Sequence, residues 1–335
     1  MSTSAPILSS LLKEVSRSFY LTLRVLPRGI RPQIGLAYLL ARATDTIADT
    51  EIVPLEQRLS ALQLLRERIL GMHRKPLNFG ELARQQGSSA ERVLMERCGE
   101  ALTILEGFNS ADQQRIHEVL KTITSGQELD LRRFAGASAE RIVALQTDEE
   151  LDDYTYRVAG CVGEFWTRMC RTHLFPGAAL DEKMLLANGV RFGKGLQLVN
   201  ILRDLPADLR QGRCYIPAKA LTAAGLAPGD LLEAANEPRF RELYGRYLVL
   251  AEGHLKAGWA YTNALPGRCV RVRLACAWPI LIGVKTLGKL RASNVLDPAQ
   301  RIKVSRPEVK GLMVRSVLCY PWPPAWRRLF SRAET

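Results

Sequence analysis

Apolar side chains recur at spacings of three and four along most of the chain, as in Leu59, Leu62, Leu65 and Ile69 and again in Leu102 and Leu105, whereas period-two alternation is nearly absent. That pattern predicts helices throughout. Proline, glycine and small polar clusters punctuate it at Pro27 to Pro32, Lys75-Pro76, Gly87-Ser88-Ser89, Phe134 to Ser138, Pro176-Gly177, Pro217, Pro228-Gly229, Pro238 and Pro266-Gly267. The intervals suit single helices with their turns, and no stretch has the composition of an interdomain linker. Long helices are expected over 33–49 and 180–208, two short elements between 217 and 236, and a loop over 292–305. The expectation is one all-α domain over residues 1–318, followed by a basic and aromatic tail over 319–335.

Composition narrows the chemistry. Of 335 residues 47% are hydrophobic and 24% charged, ordinary for a globular protein and incompatible with disorder. Seven cysteines form no CxxC pair, which reads as reduced thiols in the cytoplasm, and four histidines without HxxxH spacing leave little material for zinc or His-based triads. Carboxylates must therefore carry any catalysis. The net charge of +13 is local: residues 267–335 hold 14 Lys and Arg against 3 Asp and Glu. Nucleic-acid signatures are missing, so a membrane surface or a phosphorylated small molecule is the expected acidic partner. The charge-free stretch Leu274–Val284 is 11 residues and contains Pro279, too short to span a bilayer. Trp322 and Trp326 beside Arg327, Arg328 and Arg332 suit either a lipid headgroup zone, peripheral on the cytoplasmic membrane face, or a tail packed on its own domain.

Two acidic pairs stand out. Asp45 and Asp49 close the first long helical run, and four residues of helix put both carboxylates on one face about 6 Å apart in rise. The same stripe continues back through Arg42, Ala41, Tyr38 and Ile34. Two acids at a helix C-terminus repel each other and the helix dipole, so a cation should compensate. Asp204 and Asp208 end the second run, below a polar seam of Gly193, Gln197 and Asn200, and Pro206 is expected to kink or end the helix there. Tyr154, Val158, Cys161 and Phe165 form a further stripe by helical spacing. One such Asp pair is commonly a solvated helix end. Two, each adjoining an arginine (Arg42, Arg203), suit Mg²⁺ bridged to substrate phosphates, and hence metal-assisted departure of diphosphate.

Ser16-Arg-Ser-Phe19, Arg42-Ala-Thr-Asp45-Thr-Ile-Ala-Asp49, Tyr154-Thr-Tyr-Arg-Val-Ala-Gly-Cys-Val-Gly163 and Gln197-Leu-Val-Asn-Ile-Leu-Arg-Asp204-Leu-Pro-Ala-Asp208-Leu-Arg-Gln-Gly-Arg213 resemble, in order, the motifs of the squalene and phytoene synthase family. The third motif and the basic segment near Lys303 are closer to the squalene-forming members. The resemblance implies the isoprenoid synthase fold, a single helical domain around a central cavity with Mg²⁺ held between facing Asp-rich helices. It also implies head-to-head condensation of two prenyl diphosphates, with farnesyl diphosphate giving presqualene diphosphate and NADPH reducing this to squalene. By the same resemblance Asp45, Asp49, Asn200, Asp204 and Asp208 hold metal, and Ser16, Arg17, Arg42, Asn200, Arg203 and Arg213 hold diphosphate or metal. Phe19, Tyr38, Val158 and Gln197 contact substrate, and Tyr154 steers the carbocation. Lys303 and Arg306 are the candidates for the NADPH phosphates, since no GxGxxG turn offers a Rossmann site. Ala48 and Pro206-Ala207 depart from the usual acids of the two motifs, which leaves the number of metal ions open. Phytoene or dehydrosqualene synthesis, or a reaction stopping at presqualene diphosphate, are the rival chemistries. A non-catalytic assembly-factor relative would be expected to lose the four acids, all present here.

Overall fold

The computed structural model describes residue 12 and residues 19–74, 76–86, 88–300 and 302–334. They are mostly helical, and by internal packing they divide into two compact units. One comprises the chain through Ala135 together with Arg168–Pro176, the other Gly136–Thr167 together with Gly177 onward.

The first unit contains α1 (Phe19–Val25), α2 (Arg31–Asp49), α3 (Leu55–Ile69), α4 (Gly80–Arg84), α5 (Ser89–Glu96), α6 (Cys98–Glu106) and α7 (Ser110–Arg133). Helix α2 starts two residues before the expected boundary because Pro32 fits its first turn, where an amide proton is not needed. Leu36, Leu39, Leu40, Ala43 and Ile47 on α2 are completely buried, against α3, α6 and α7. Asn109 caps α7 by accepting from the Asp112 amide at 2.9 Å. The Asp112 carboxylate is itself fully buried and is satisfied by His173 Nε2 (2.9 Å), Arg115 (2.9 Å), Asn109 Nδ2 (3.0 Å) and Gln33 Nε2 (3.2 Å). A buried carboxylate without such partners would cost several kcal/mol, so this cluster fixes the start of α7 against α2.

The second unit holds β1 (Val143–Ala144), α8 (Asp148–Thr155), a π-helical turn (Tyr156–Gly160), the part of α9 (Cys161–Leu174) before residue 168, α10 (Glu182–Arg210), β2 (Arg213–Cys214), α11 (Ala218–Ala223), α12 (Glu237–Ala264), α13 (Val270–Arg291), α14 (Arg306–Cys319), α15 (Pro323–Arg327) and α16 (Leu329–Glu334). The short elements expected over 217–236 are α11 and two 3-10 turns, and 292–305 lacks regular structure among its described residues, as expected. Glycines let α10 lie unusually close to its neighbours. A Cβ on Gly163 would overlap the Gly189 carbonyl, and one on Gly193 would overlap the Ala159 carbonyl. The Val-Ala-Gly-Cys-Val-Gly motif is thus a backbone-to-backbone crossing of α10, made across the end of a π turn and the first turn of α9, and π turns often mark functional sites. Because that turn breaks the 3.6-residue register, the expected stripe of Tyr154, Val158, Cys161 and Phe165 is not continuous: Tyr154, Cys161 and Phe165 are buried and Val158 is half-exposed.

Helix α10 does not end at Pro206 but runs on to Arg210. The proline removes the amide that would bond the Leu202 carbonyl. The buried Tyr244 on α12 donates its hydroxyl to that carbonyl at 3.0 Å, so the ladder is repaired from a neighbouring helix and Asp208 stays helical.

Residues 319–334 belong to the second unit. Trp326 is 2% exposed, stacks on Trp259 with centroids 5.3 Å apart, meets Tyr320 edge-on at 4.9 Å and donates its indole N–H to Asn263 Oδ1 at 2.8 Å. Leu329, Phe330 and Ala333 are also buried. Of the two tail readings, packing therefore applies to Trp326 and Phe330, whereas Trp322 is exposed. Among the described residues no helix is long and apolar enough to cross a membrane.

Candidate functional site

In the first unit the first acidic motif sits at the C-terminal end of α2. The Arg42 guanidinium bridges Asp45, one turn on, and Glu91 of α5. Desolvation works against its charge, but the two carboxylates outweigh this and raise its pKa. Enclosure by protein pushes the Asp45 carboxyl above its ordinary pKa, opposing the pull of Arg42, and Glu91 pushes the same way. Yet the Asp45 side chain remains 42% exposed, which is the state of a group in a wet crevice. Asp49 is exposed at the last position of α2, and Tyr38 is half-buried two turns before Asp45. The helix end is compensated by cations, as its charge requires: besides Arg42, Arg58 donates to the Ala48 carbonyl at 2.7 Å. Thr50 bonds the Thr46 carbonyl at 2.6 Å and accepts from buried Gln86 at 2.8 Å, which locks the turn after Asp49. Ser16 and Arg17 lie outside the described residues, and Phe19 is the first residue of α1.

In the second unit the seam on α10 opens where expected. Gln197, Arg203, Asp204 and Asp208 are half-buried and Asn200 is exposed, while Leu198, Val199, Ile201, Leu202 and Leu205 pack inward. Arg203 grips Asp204 with two parallel hydrogen bonds, 2.8 Å from Nε and 2.5 Å from Nη2. The hydrogen bond to Asp204, helped by the charges of Asp204 and Asp208, raises the Arg203 pKa. Both acidic motifs therefore share one design, an aspartate 42–46% exposed with a neighbouring arginine already bound to it. Asp204 opens on a cleft of about 560 Å³ that is also lined by Arg203, Arg210, Gln300, Ile302 and Lys303. Lys303 thus lines the same cleft as Asp204 of the second acidic motif. Arg306 does not line this cleft and stands exposed at the start of α14.

Tyr154, at the end of α8, is 9% exposed. Its ring stacks on Tyr215 with centroids 4.7 Å apart and planes at 25°, and the two hydroxyls are 3.4 Å apart. The β1–β2 pair, in parallel register Val143 to Arg213 and Ala144 to Cys214, ties the strand before α8 to the strand after α10, and Tyr215, the residue after β2, meets Tyr154. Gly212, with φ +79°, makes the reversal from α10 into β2, in a conformation that favours glycine.

Glu91, Arg210, Tyr215 and Gln300 escaped the sequence reading. Arg210 lies seven residues, two helical turns, beyond Arg203, a spacing that was legible; Glu91 and Tyr215 arrive from distant segments and carry no local signal.

The squalene/phytoene synthase family model matches residues 12–308. A presqualene diphosphate synthase of Zymomonas mobilis is 28% identical over 293 residues, covering 86% of this chain and 84% of its own. A squalene synthase of Schizosaccharomyces pombe is 24% identical over 312 residues, 92% of this chain and 64% of its own. A solved structure of TcSQS with the ligand E5700 superposes with a TM-score of 0.78 at 20% identity, covering 99% of this chain and 98% of that one, a likeness of fold. With matched motifs, helical architecture and near-complete coverage, the chain belongs to the squalene/phytoene synthase family of prenyl-transferring enzymes, with the all-α isoprenoid synthase fold.

Proposed function

We propose that this chain catalyses the squalene synthase reaction: head-to-head condensation of two farnesyl diphosphates to presqualene diphosphate, then reduction to squalene with NADPH. The observation that carries the reading is the cleft that Asp204 lines together with Arg203, Arg210 and Lys303. Three cations and a half-open acid suit phosphate oxygens far better than an apolar or neutral ligand.

The donor set fits Mg²⁺. Asp45, Asp49, Asp204 and Asp208 with Asn200 are all oxygen ligands, and Asp45 and Asp204 are open to solvent. Mg²⁺ keeps waters and shares substrate phosphates, so it draws on only a few protein oxygens. When bound, Mg²⁺ supplies Lewis-acid neutralisation of the diphosphate. Arg42 and Arg203, each beside the aspartate it binds, and Arg213 hold diphosphate oxygens, with Ser16 and Arg17 assigned the same role by their motif. Tyr38, Phe19, Val158 and Gln197 contact the prenyl chains. The buried, stacked Tyr154 offers an aromatic face to a developing allylic cation, and either its hydroxyl or the departed diphosphate accepts the proton lost on cyclopropane closure. NADPH, when bound, supplies hydride for the second step, with Lys303 on its phosphates. Catalysis lies within residues 1–318 in this reading. In this reading the enzyme is cytoplasmic, in keeping with seven cysteines that form no CxxC pair, and in peripheral contact with the membrane.

A second reading, condensation that stops at presqualene diphosphate, is favoured by the relative of that name, which is more similar in sequence than the squalene synthase. The wild-type product formed with NADPH separates the two, and Lys303→Glu tests the role given to Lys303. If Lys303 holds an NADPH phosphate, the variant consumes farnesyl diphosphate at nearly the wild-type rate, needs at least about tenfold more NADPH for squalene, and accumulates presqualene diphosphate. An unchanged NADPH requirement removes Lys303 from the reductive step. Arg306→Glu, outside the cleft, is expected to change it little.

A further inference from the structure

Helix α14 has two unlike faces. Inward, Trp278 donates its indole N–H to the buried Ser316 at 2.9 Å, with Val309, Leu312 and Met313 half-buried alongside. Outward, where a surface helix should be polar, Val314, Val317 and Leu318 are 59%, 49% and 63% exposed, at helical spacings of three and four, and Trp322 just beyond the helix end is 63% exposed. The tail holds this face in place, since Trp326 is locked against Trp259 four residues after Trp322.

The surroundings specify what covers it. Lys310, Arg315, Arg327 and Arg328 are all exposed on α14 and the following segment. The one acid of α14, Glu308, is engaged by Lys289 at 2.8 Å and by the Ser305 amide at 2.7 Å, as a helix cap. An apolar ridge rimmed by cations, within a region carrying 14 basic and 3 acidic residues, complements an anionic lipid surface. A second copy of the same basic face would be repelled.

We infer that the outer face of α14, with Trp322, is the surface by which this protein docks on an anionic bilayer. The inference rests on the membrane contact proposed above and gives it an address: Val314, Val317, Leu318 and Trp322 enter the headgroup boundary and Lys310 and Arg315 meet lipid phosphates, while Trp326 stays in the protein.

The test is co-sedimentation of the full chain with vesicles of phosphatidylcholine, alone or mixed with phosphatidylserine, with thermal melting and farnesyl diphosphate consumption measured without vesicles. The wild type should bind the mixed vesicles, more weakly as salt rises. Val314→Ser with Leu318→Ser and Trp322→Ser should lower partitioning at least about tenfold, and Lys310→Ala with Arg315→Ala on the order of thirtyfold, both with unchanged melting and consumption. Failure of the wild type to bind mixed vesicles overturns the proposal. So does wild-type binding by the triple-serine variant, or a wild-type dimer that this variant dissociates without loss of vesicle binding, which would assign the face to a second copy. If the wild type binds vesicles but consumes no farnesyl diphosphate, the proposed reaction fails and the docking surface stands.

Discussion

Asp45→Asn combined with Asp204→Asn is expected to slow the first condensation by at least about a thousandfold, roughly 4 kcal/mol of barrier, in a protein that still folds. Each asparagine keeps the shape and one oxygen of the side chain and removes the charge that a divalent cation needs. Folding survives because neither carboxylate is structural in the manner of Asp112: both are 42–46% exposed. For Asp45 the sign of the stability change follows from its pKa. Enclosure raises that pKa, against the pull of Arg42, so the ionised form is less favourable in the folded chain than in the unfolded one. Stability associated with Asp45 is full below the ordinary carboxylate pKa and is lost as pH rises through the raised value. At neutral pH asparagine removes that cost, a gain that solvent screening holds below about 1 kcal/mol. Asp45→Asn alone should therefore melt no earlier than the wild type without metal while losing most activity. Full turnover by the double variant would remove both aspartates from the chemistry.

Gly163→Ala should do the reverse, unfolding the second unit rather than editing its site. A Cβ there overlaps the Gly189 carbonyl, which is helix backbone and cannot rotate away, so α9 and α10 must separate. Overpacking against backbone is expected to cost about 3 kcal/mol or more. The displaced crossing carries the π turn that leads back to Tyr154. Gly177→Ala, which meets open space, is the matched control and should change stability by no more than about 0.5 kcal/mol. Urea denaturation of both variants checks this. A Gly163→Ala protein as stable as the wild type would mean that the two helices do not approach as closely as described.

What was legible in the chain follows from the range of the forces involved. Helices α2 and α10, the loop after residue 291 and both acidic pairs were readable because periodicity, proline and charge spacing are local. The continuation of α10 through Pro206 was not, because the compensating donor, Tyr244, lies on another helix. The π turn was hidden for the same reason: the register shift accompanies a close approach of Ala159 to Gly193 that no window of sequence contains. Glu91 is one glutamate among many until folding brings it to Arg42. The β1–β2 pair, two residues on each side, is too short to show alternation. In the tail the aromatic composition was plain, yet which tryptophan turns inward depends on Trp259, more than sixty residues earlier.

The most direct test of the central claim is incubation of the purified wild-type protein with farnesyl diphosphate and Mg²⁺, with and without NADPH, followed by identification of the lipid formed. The expected result is presqualene diphosphate without NADPH, squalene with it, and neither when the cation is chelated. Farnesyl diphosphate left unconsumed would contradict the account, and its conversion to presqualene diphosphate alone at every NADPH concentration would contradict the reductive half.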